Sequence, residues 1–157
     1  MIYKSPIHIL AARRSPIGRL GGGLKKFTAS ELATRIAEVT APEALRPHIG
    51  QVILGQVLPA GCGMNTARQT GLALDVSQTS PAFTVNMVCG SGLKSVALGA
   101  DAITAGEANL VLTGGVESMS RVPLGSSTAG ATPPEGIRRR YPEGLVNQGV
   151  AAELEHL

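Results

Sequence analysis

Short apolar runs set apart by segments of helical period limit most strongly what this chain can fold into. Gln51 to Leu54 is rich in Ile, Val and Leu, and Ala82 to Val85 and Leu110 to Thr113 are runs of the same length, each only four residues long. That is the signature of buried strands. Pro6 to Leu10 reads as a further strand. Between the runs, Ala29 to Thr40 carries Leu32, Ala33, Ile36, Ala37 and Val39 at close to a helical period, and Asn65 to Leu74 and Gly90 to Ala105 read as two more helices. A Gly/Pro loop spans Leu58 to Gly63. Repeated β-α units of this length predict an α/β fold, a mainly parallel sheet with helices covering both faces.

The pattern fails from Val122 onward. Pro123, Gly125, Ser126, Ser127, Gly130, Pro133, Pro134 and Gly136 make a turn-rich stretch that runs into Arg138-Arg-Arg-Tyr-Pro-Glu-Gly144. This reads as a long excursion or a linker. Val150 to Leu157 reads as the first turns of a helix.

With 43% apolar residues in 157, the chain has material for a packed core, which excludes a disordered class. Aromatic residues make up only 3% and Trp is absent, so recognition of nucleic acid by stacking has little to work with. The net charge of +3 suits an anionic, phosphate-bearing ligand. Met1 to His8 lacks the apolar core of a signal peptide, and no stretch reaches the roughly 20 apolar residues of a membrane span. The expected setting is the cytoplasm, without membrane or nucleic-acid partners.

Cys62 and Cys89 fit neither a zinc knuckle nor a redox pair, so no metal is expected and both read as free thiols. Cys89 has a mechanical context. A predicted strand ends, the chain turns through Asn86-Met-Val-Cys-Gly-Ser-Gly92, and a helix of small residues begins, with Ser95, Ala97, Gly99 and Ala100 suited to a crowded interior. A helix N-terminus presents unpaired N–H groups and partial positive charge, which favour thiolate over thiol and can bind an oxyanion. On this pattern Cys89 is a candidate nucleophile; the alternative is a small buried hydrophobe. Cys62, between Gly61 and Gly63, lacks the strand-to-helix context and reads as structural.

Four blocks in order resemble the thiolases, the acyltransferases that make or cleave β-ketoacyl-CoA thioesters. They are Ala11-Ala-Arg-Arg-Ser-Pro-Ile-Gly-Arg-Leu-Gly-Gly22, with Ser15 where Thr is more usual; Ile53-Leu-Gly-Gln-Val57 with Asn65-Thr-Ala-Arg-Gln69; Asn86 to Lys94; and Gly114-Gly-Val-Glu-Ser-Met-Ser120 with Pro123. The resemblance covers nearly all of residues 6 to 125. It implies the first half of a thiolase-like layered fold, with residues 1–120 as its amino-terminal α/β core and 121–157 as the start of an inserted loop region that covers the substrate. The last strand of that half would follow the insertion, and the carboxy-terminal half is absent.

The resemblance further implies that Cys89 attacks an acyl-CoA, holds the acyl group as a thioester with its backbone N–H in an oxyanion hole, and passes it on by a ping-pong mechanism. The substrates would be acyl-CoA and CoA, with no covalently bound cofactor, in fatty-acid metabolism. The complete protein would be a homodimer or homotetramer. The family's activating His, second Cys and oxyanion Asn come from motifs that this sequence does not contain, so the chain alone is expected to be inactive. His8, His48 and His156 read as structural or solvated. Arg138 to Arg140, with Lys25 and Lys26, read as a solvated basic surface able to attract CoA phosphates. Glu117 has a possible reading as a general base, but a structural role is expected, and Asn65 and Arg68 are expected to fix loops. Two other readings stay open: a non-catalytic thiolase-like scaffold or split subunit that binds acyl-CoA or a partner chain, and a ketoacyl-synthase-type condensing enzyme.

Overall fold

A computed structural model describes residues 6–122, 125, 132–146 and 148–154. The chain divides into two compact units, Met1–Ser127 and Thr128–Leu157.

The first unit is built on a parallel sheet of three strands, β1 (Gln51–Gly55), β2 (Ala82–Val85) and β3 (Val111–Gly115), in the order β2-β1-β3. Val52 stands beside Ala82 on one side and Leu112 on the other. The central strand β1 is buried along its whole length, which is why it reads as a continuous apolar run rather than an alternating one. Three helices serve this sheet: α1 (Ala29–Thr40), α2 (Thr66–Ala73) and α3 (Ser91–Thr104).

The connection from β1 through α2 to β2 runs one way across the sheet, and that from β2 through α3 to β3 runs back. Right-handed crossovers then place α2 and α3 on opposite faces. The side chains of β1 sort accordingly. Val52 and Leu54 join Ala37, Ala67, Leu74 and Val76 in the core under α1 and α2. Gly55, one pleat out of phase, meets the backbone of Ser91 in α3.

Each helix starts where its sequence allows. Thr28 and Glu31 form a reciprocal capping box at α1: the Thr28 hydroxyl accepts the Glu31 N–H, and the Glu31 carboxylate accepts the Thr28 N–H at 2.8 Å. Asn65 caps α2 by accepting the Arg68 N–H at 3.0 Å and donates its side-chain N–H to the Ala82 carbonyl at 2.8 Å, tying the helix to the start of β2. Asn65 is therefore the cap rather than the first helical residue, with φ of 54°.

The expected strand over residues 6–10 is absent: the segment is irregular and pairs with no described strand. Ile9 and Leu10 remain 77% and 69% exposed. An extended apolar segment becomes a strand only when a neighbour takes its N–H and C=O groups, and no described strand offers that partner.

In the second unit, α4 (Glu135–Arg140) breaks the stretch expected to be irregular and carries Arg138, Arg139 and Arg140 in its last turn, all exposed. Cations there complement the negative end of the helix. The helix expected from Val150 begins slightly earlier, as α5 (Gln148–Leu154). Pro123 and His156 lie outside the described residues.

Candidate functional site

Cys89 lies one residue before Gly90, the N-cap of α3, and its side chain is exposed. The turn that presents it is held by its neighbours. Ser91 accepts the Met87 N–H at 2.9 Å and donates its hydroxyl to the Val88 carbonyl at 2.6 Å, while Asn86 accepts the Val88 N–H at 2.9 Å. Between these anchors Val88 adopts φ of 49°, a left-handed conformation that is unfavourable for a β-branched residue.

Among the three helices on the sheet, α3 alone starts without a side-chain cap. The Ser91 N–H is taken by the Val88 carbonyl at 3.1 Å, and no side chain caps the Gly92 and Leu93 N–H groups or the positive end of the dipole beside Cys89.

The depth of α3 on the sheet is fixed by the absence of side chains. A Cβ on Gly55 would fall 2.4 Å from the Ser91 carbonyl carbon, one on Gly115 would fall 2.9 Å from the Gly92 Cα, and one on Gly99 would fall 2.5 Å from the Thr113 methyl. Ser95, fully buried, donates its hydroxyl to the Gly92 and Gly114 carbonyls, both at 2.7 Å, and accepts the Gly114 N–H at 3.1 Å. The small residues expected to suit a crowded interior do so at Ser95 and Gly99; Ala97 and Ala100 are only half-buried.

Cys89 opens onto a cleft of about 1070 Å³ that runs along β3 and the segment 9–20. Its walls are largely apolar, and several of them face solvent, including Ile17 at 86% and Leu93 at 77% exposure. Among the described residues no imidazole lines it: His8 and His48 are exposed elsewhere.

Cys62 sits differently. Half-buried, it accepts an N–H from Gln56 Nε2 at 3.3 Å, with its sulfur 3.8 Å from the Leu58 and Ala60 carbonyls, and its own carbonyl accepts Gln69 Nε2 at 2.9 Å. The thiol is tied into its loop. Gln56, 3% exposed, also accepts the Thr66 hydroxyl.

Glu117 accepts the Val57 and Leu58 N–H groups at 2.8 and 3.1 Å, so it anchors the loop after β1. Ser118 and Ser120 tie the same end of β3 to the segment before α1, through the Phe27 carbonyl at 2.7 Å and the Gly21 N–H at 2.9 Å. Arg68 reaches the Gln78 carbonyl at 3.5 Å, in keeping with loop fixing. The sequence reading missed Gln56, Ser91 and the left-handed Val88. Ser91 had a signal, a hydroxyl two residues past the Cys in a Gly-Ser-Gly turn; Val88 had none.

The family model "Thiolase, N-terminal domain" matches residues 7–153. An acetyl-CoA acetyltransferase from Chromobacterium violaceum is 50% identical over 119 residues, 74% of this chain and 30% of the relative. A probable acetyl-CoA acyltransferase from Staphylococcus aureus is 47% identical over 118 residues, with the same coverage of 74% and 30%. Among solved structures, the Acat5 thiolase from Ascaris suum in complex with coenzyme A aligns at TM-score 0.67 and 35% identity, over 73% of this chain and 30% of that one. Human mitochondrial 3-ketoacyl-CoA thiolase aligns at TM-score 0.68 and 38% identity, over 71% and 29%. The chain thus spans about three tenths of the length of the relatives it matches.

Proposed function

Because the chain belongs to the thiolase family, we propose that it takes part in acyl transfer between coenzyme A thioesters, with Cys89 as the acyl acceptor. The observation that carries this reading is the exposed thiol of Cys89 at the uncapped N-terminus of α3, opening onto the cleft. The sulfur attacks the thioester carbonyl, the carbon–sulfur bond to CoA breaks, and the departing CoA thiolate takes up the proton that Cys89 gives away. The tetrahedral oxyanion is held by the backbone N–H of Cys89, just ahead of the helix. In a second half-reaction the acyl group passes to the α-carbon of another acyl-CoA, which loses its proton and becomes β-ketoacyl-CoA, or to free CoA in the reverse sense.

A base must accept the Cys89 proton, and no imidazole lines the cleft among the described residues. Full turnover on this reading draws on groups beyond the described residues, and the isolated chain is expected to be inactive. We place the complete protein in the cytoplasm, in fatty-acid metabolism, as a homodimer or homotetramer, with residues 121–157 beginning a region that covers the substrate.

Iodoacetamide labelling with peptide mass mapping tests the reading. In a polypeptide that joins this chain to a thiolase carboxy-terminal half, Cys89 is expected to be modified ahead of Cys62, and acetyl-CoA to protect it. Equal, slow labelling of both cysteines would overturn the assignment. The exposed apolar walls of the cleft favour a second reading, a non-catalytic subunit that binds a partner chain. That reading gains if the joined polypeptide binds acetyl-CoA without acetylating Cys89. A ketoacyl-synthase-type enzyme would instead accept acyl groups from a carrier protein in preference to CoA.

A further inference from the structure

Three hydrogen-bonded links lead from the end of β3 to the turn that carries Cys89. Glu117 takes the Val57 N–H on one carboxylate oxygen and the Leu58 N–H on the other. The Val57 carbonyl in turn accepts the Asn86 side-chain N–H at 3.3 Å. Asn86 then accepts the N–H of Val88, the left-handed residue immediately before Cys89, at 2.9 Å. The segments just beyond all three strands are thereby joined in one line that ends at the thiol's neighbour.

Both oxygens of Glu117 are engaged by backbone donors, so the carboxylate anchors the loop after β1 to the end of β3. A β-branched residue held left-handed relaxes unless its surroundings over-determine it. Ser91 supplies one restraint, from the helix side. Asn86 supplies the other, and Asn86 is set by a carbonyl whose own peptide segment Glu117 fixes.

We infer that Glu117 is a positioning residue for Cys89, acting through Val57 and Asn86 to hold the left-handed turn on which the thiol is presented. Its bearing on catalysis rests on the acyl-acceptor reading of Cys89; the geometry itself does not.

The test uses the full 157-residue chain and needs no acyl-CoA, so it stands apart from the labelling and protection experiment. Amide hydrogen exchange is followed at Val57, Leu58 and Val88, with Ala41, bonded to the Ala37 carbonyl in α1, as reference. Iodoacetamide alkylation of Cys89 is timed in parallel. Glu117→Gln keeps one acceptor oxygen and turns an NH2 group toward the other donor. It is expected to raise exchange at Val57, Leu58 and also Val88 by about tenfold, as loss of one charge-assisted bond implies, and to slow Cys89 alkylation by a similar factor, with Ala41 unchanged. Asn86→Ala leaves both Glu117 bonds in place and is expected to reproduce the Val88 and Cys89 effects without the change at Leu58. The double variant should add less than about twofold to either single variant, since both break one line.

Faster exchange at Val57 and Leu58 with Val88 and Cys89 unmoved would overturn the inference. So would equal acceleration at Ala41, which would assign Glu117 to the fold as a whole. Should Glu117→Gln fail to fold, Asn86→Ala decides alone: unchanged exchange at Val88 and unchanged alkylation of Cys89 would sink the proposal.

Discussion

A nucleophile candidate is recognised by what surrounds it, and at Cys89 the surroundings are mostly backbone. Gly55 and Gly115 bring β1 and β3 against the first turn of α3 with no side chain between them. Gly55→Ala would place a methyl within 2.4 Å of main-chain atoms that cannot swing aside, and is expected to destabilise the chain by about 1–3 kcal/mol or more by urea denaturation. Gly23→Ala, where an added Cβ meets nothing within 4 Å, is the matched control and should shift the midpoint little. Equal effects of the two would contradict the packing account. The Gly-Ser-Gly sequence after Cys89 announced the close approach. It did not announce which strands were approached, because that depends on the order of strands in the sheet, which no local pattern encodes. Nor did any signal mark Val88, a residue type that rarely adopts the conformation it holds here.

At the scale of elements, the sequence was most informative where periodicity was long or the run wholly apolar. The helix expected over residues 29–40 and the strand over 82–85 carry the observed bounds of α1 and β2, and β1 and β3 differ from expectation by one or two residues at their ends. Residues 6–10 show the complementary case. Their composition suits a strand, yet a strand is a property of a pair, and composition cannot supply a neighbour. The start of α1 offers a direct check on local chemistry. The Thr28 backbone N–H, and then the Thr28 hydroxyl, stabilise the ionised Glu31 carboxylate and lower its pKa from the usual 4.5. A carboxylate whose pKa is lower in the folded state contributes stability that is present above its unfolded pKa and is lost as pH falls through the folded value. Thermal melts of Glu31→Gln should therefore track the parent less closely at neutral pH than at acid pH, the two curves converging as the pH falls through the lowered folded-state pKa of Glu31. A gap that stayed constant down to acid pH would contradict this account of the cap.

For the first unit as a whole, the apolar side chains divide between a sealed core and an exposed cleft. Val52 and Leu74 are sealed under α1 and α2, whereas Ile17, Leu20 and Leu93 stand in the cleft with more than half of their surface exposed. Contiguous apolar surface of this kind associates in water. Leu93→Glu is expected to lower concentration-dependent self-association of the chain, measured by sedimentation, with little change in the unfolding midpoint because the side chain is 77% exposed. An unfolding midpoint that collapsed instead would mean that Leu93 belongs to the folded core. The apolar character of this wall was visible in the composition of α3. Its exposure was not, since exposure depends on which face the crossover directs toward the sheet.

The glycine contacts under α3 also decide what can vary. The height of Cys89 above the sheet is set by main chain resting on main chain at Gly55, Gly92 and Gly115, whereas the cleft in front of it is walled by side chains such as Ile17, Leu20 and Leu93. Substitutions in those walls can remodel the room offered to a guest molecule without disturbing the seat of the sulfur. Shape and reactivity are thereby mutable on separate schedules, one tolerant of drift and the other nearly frozen.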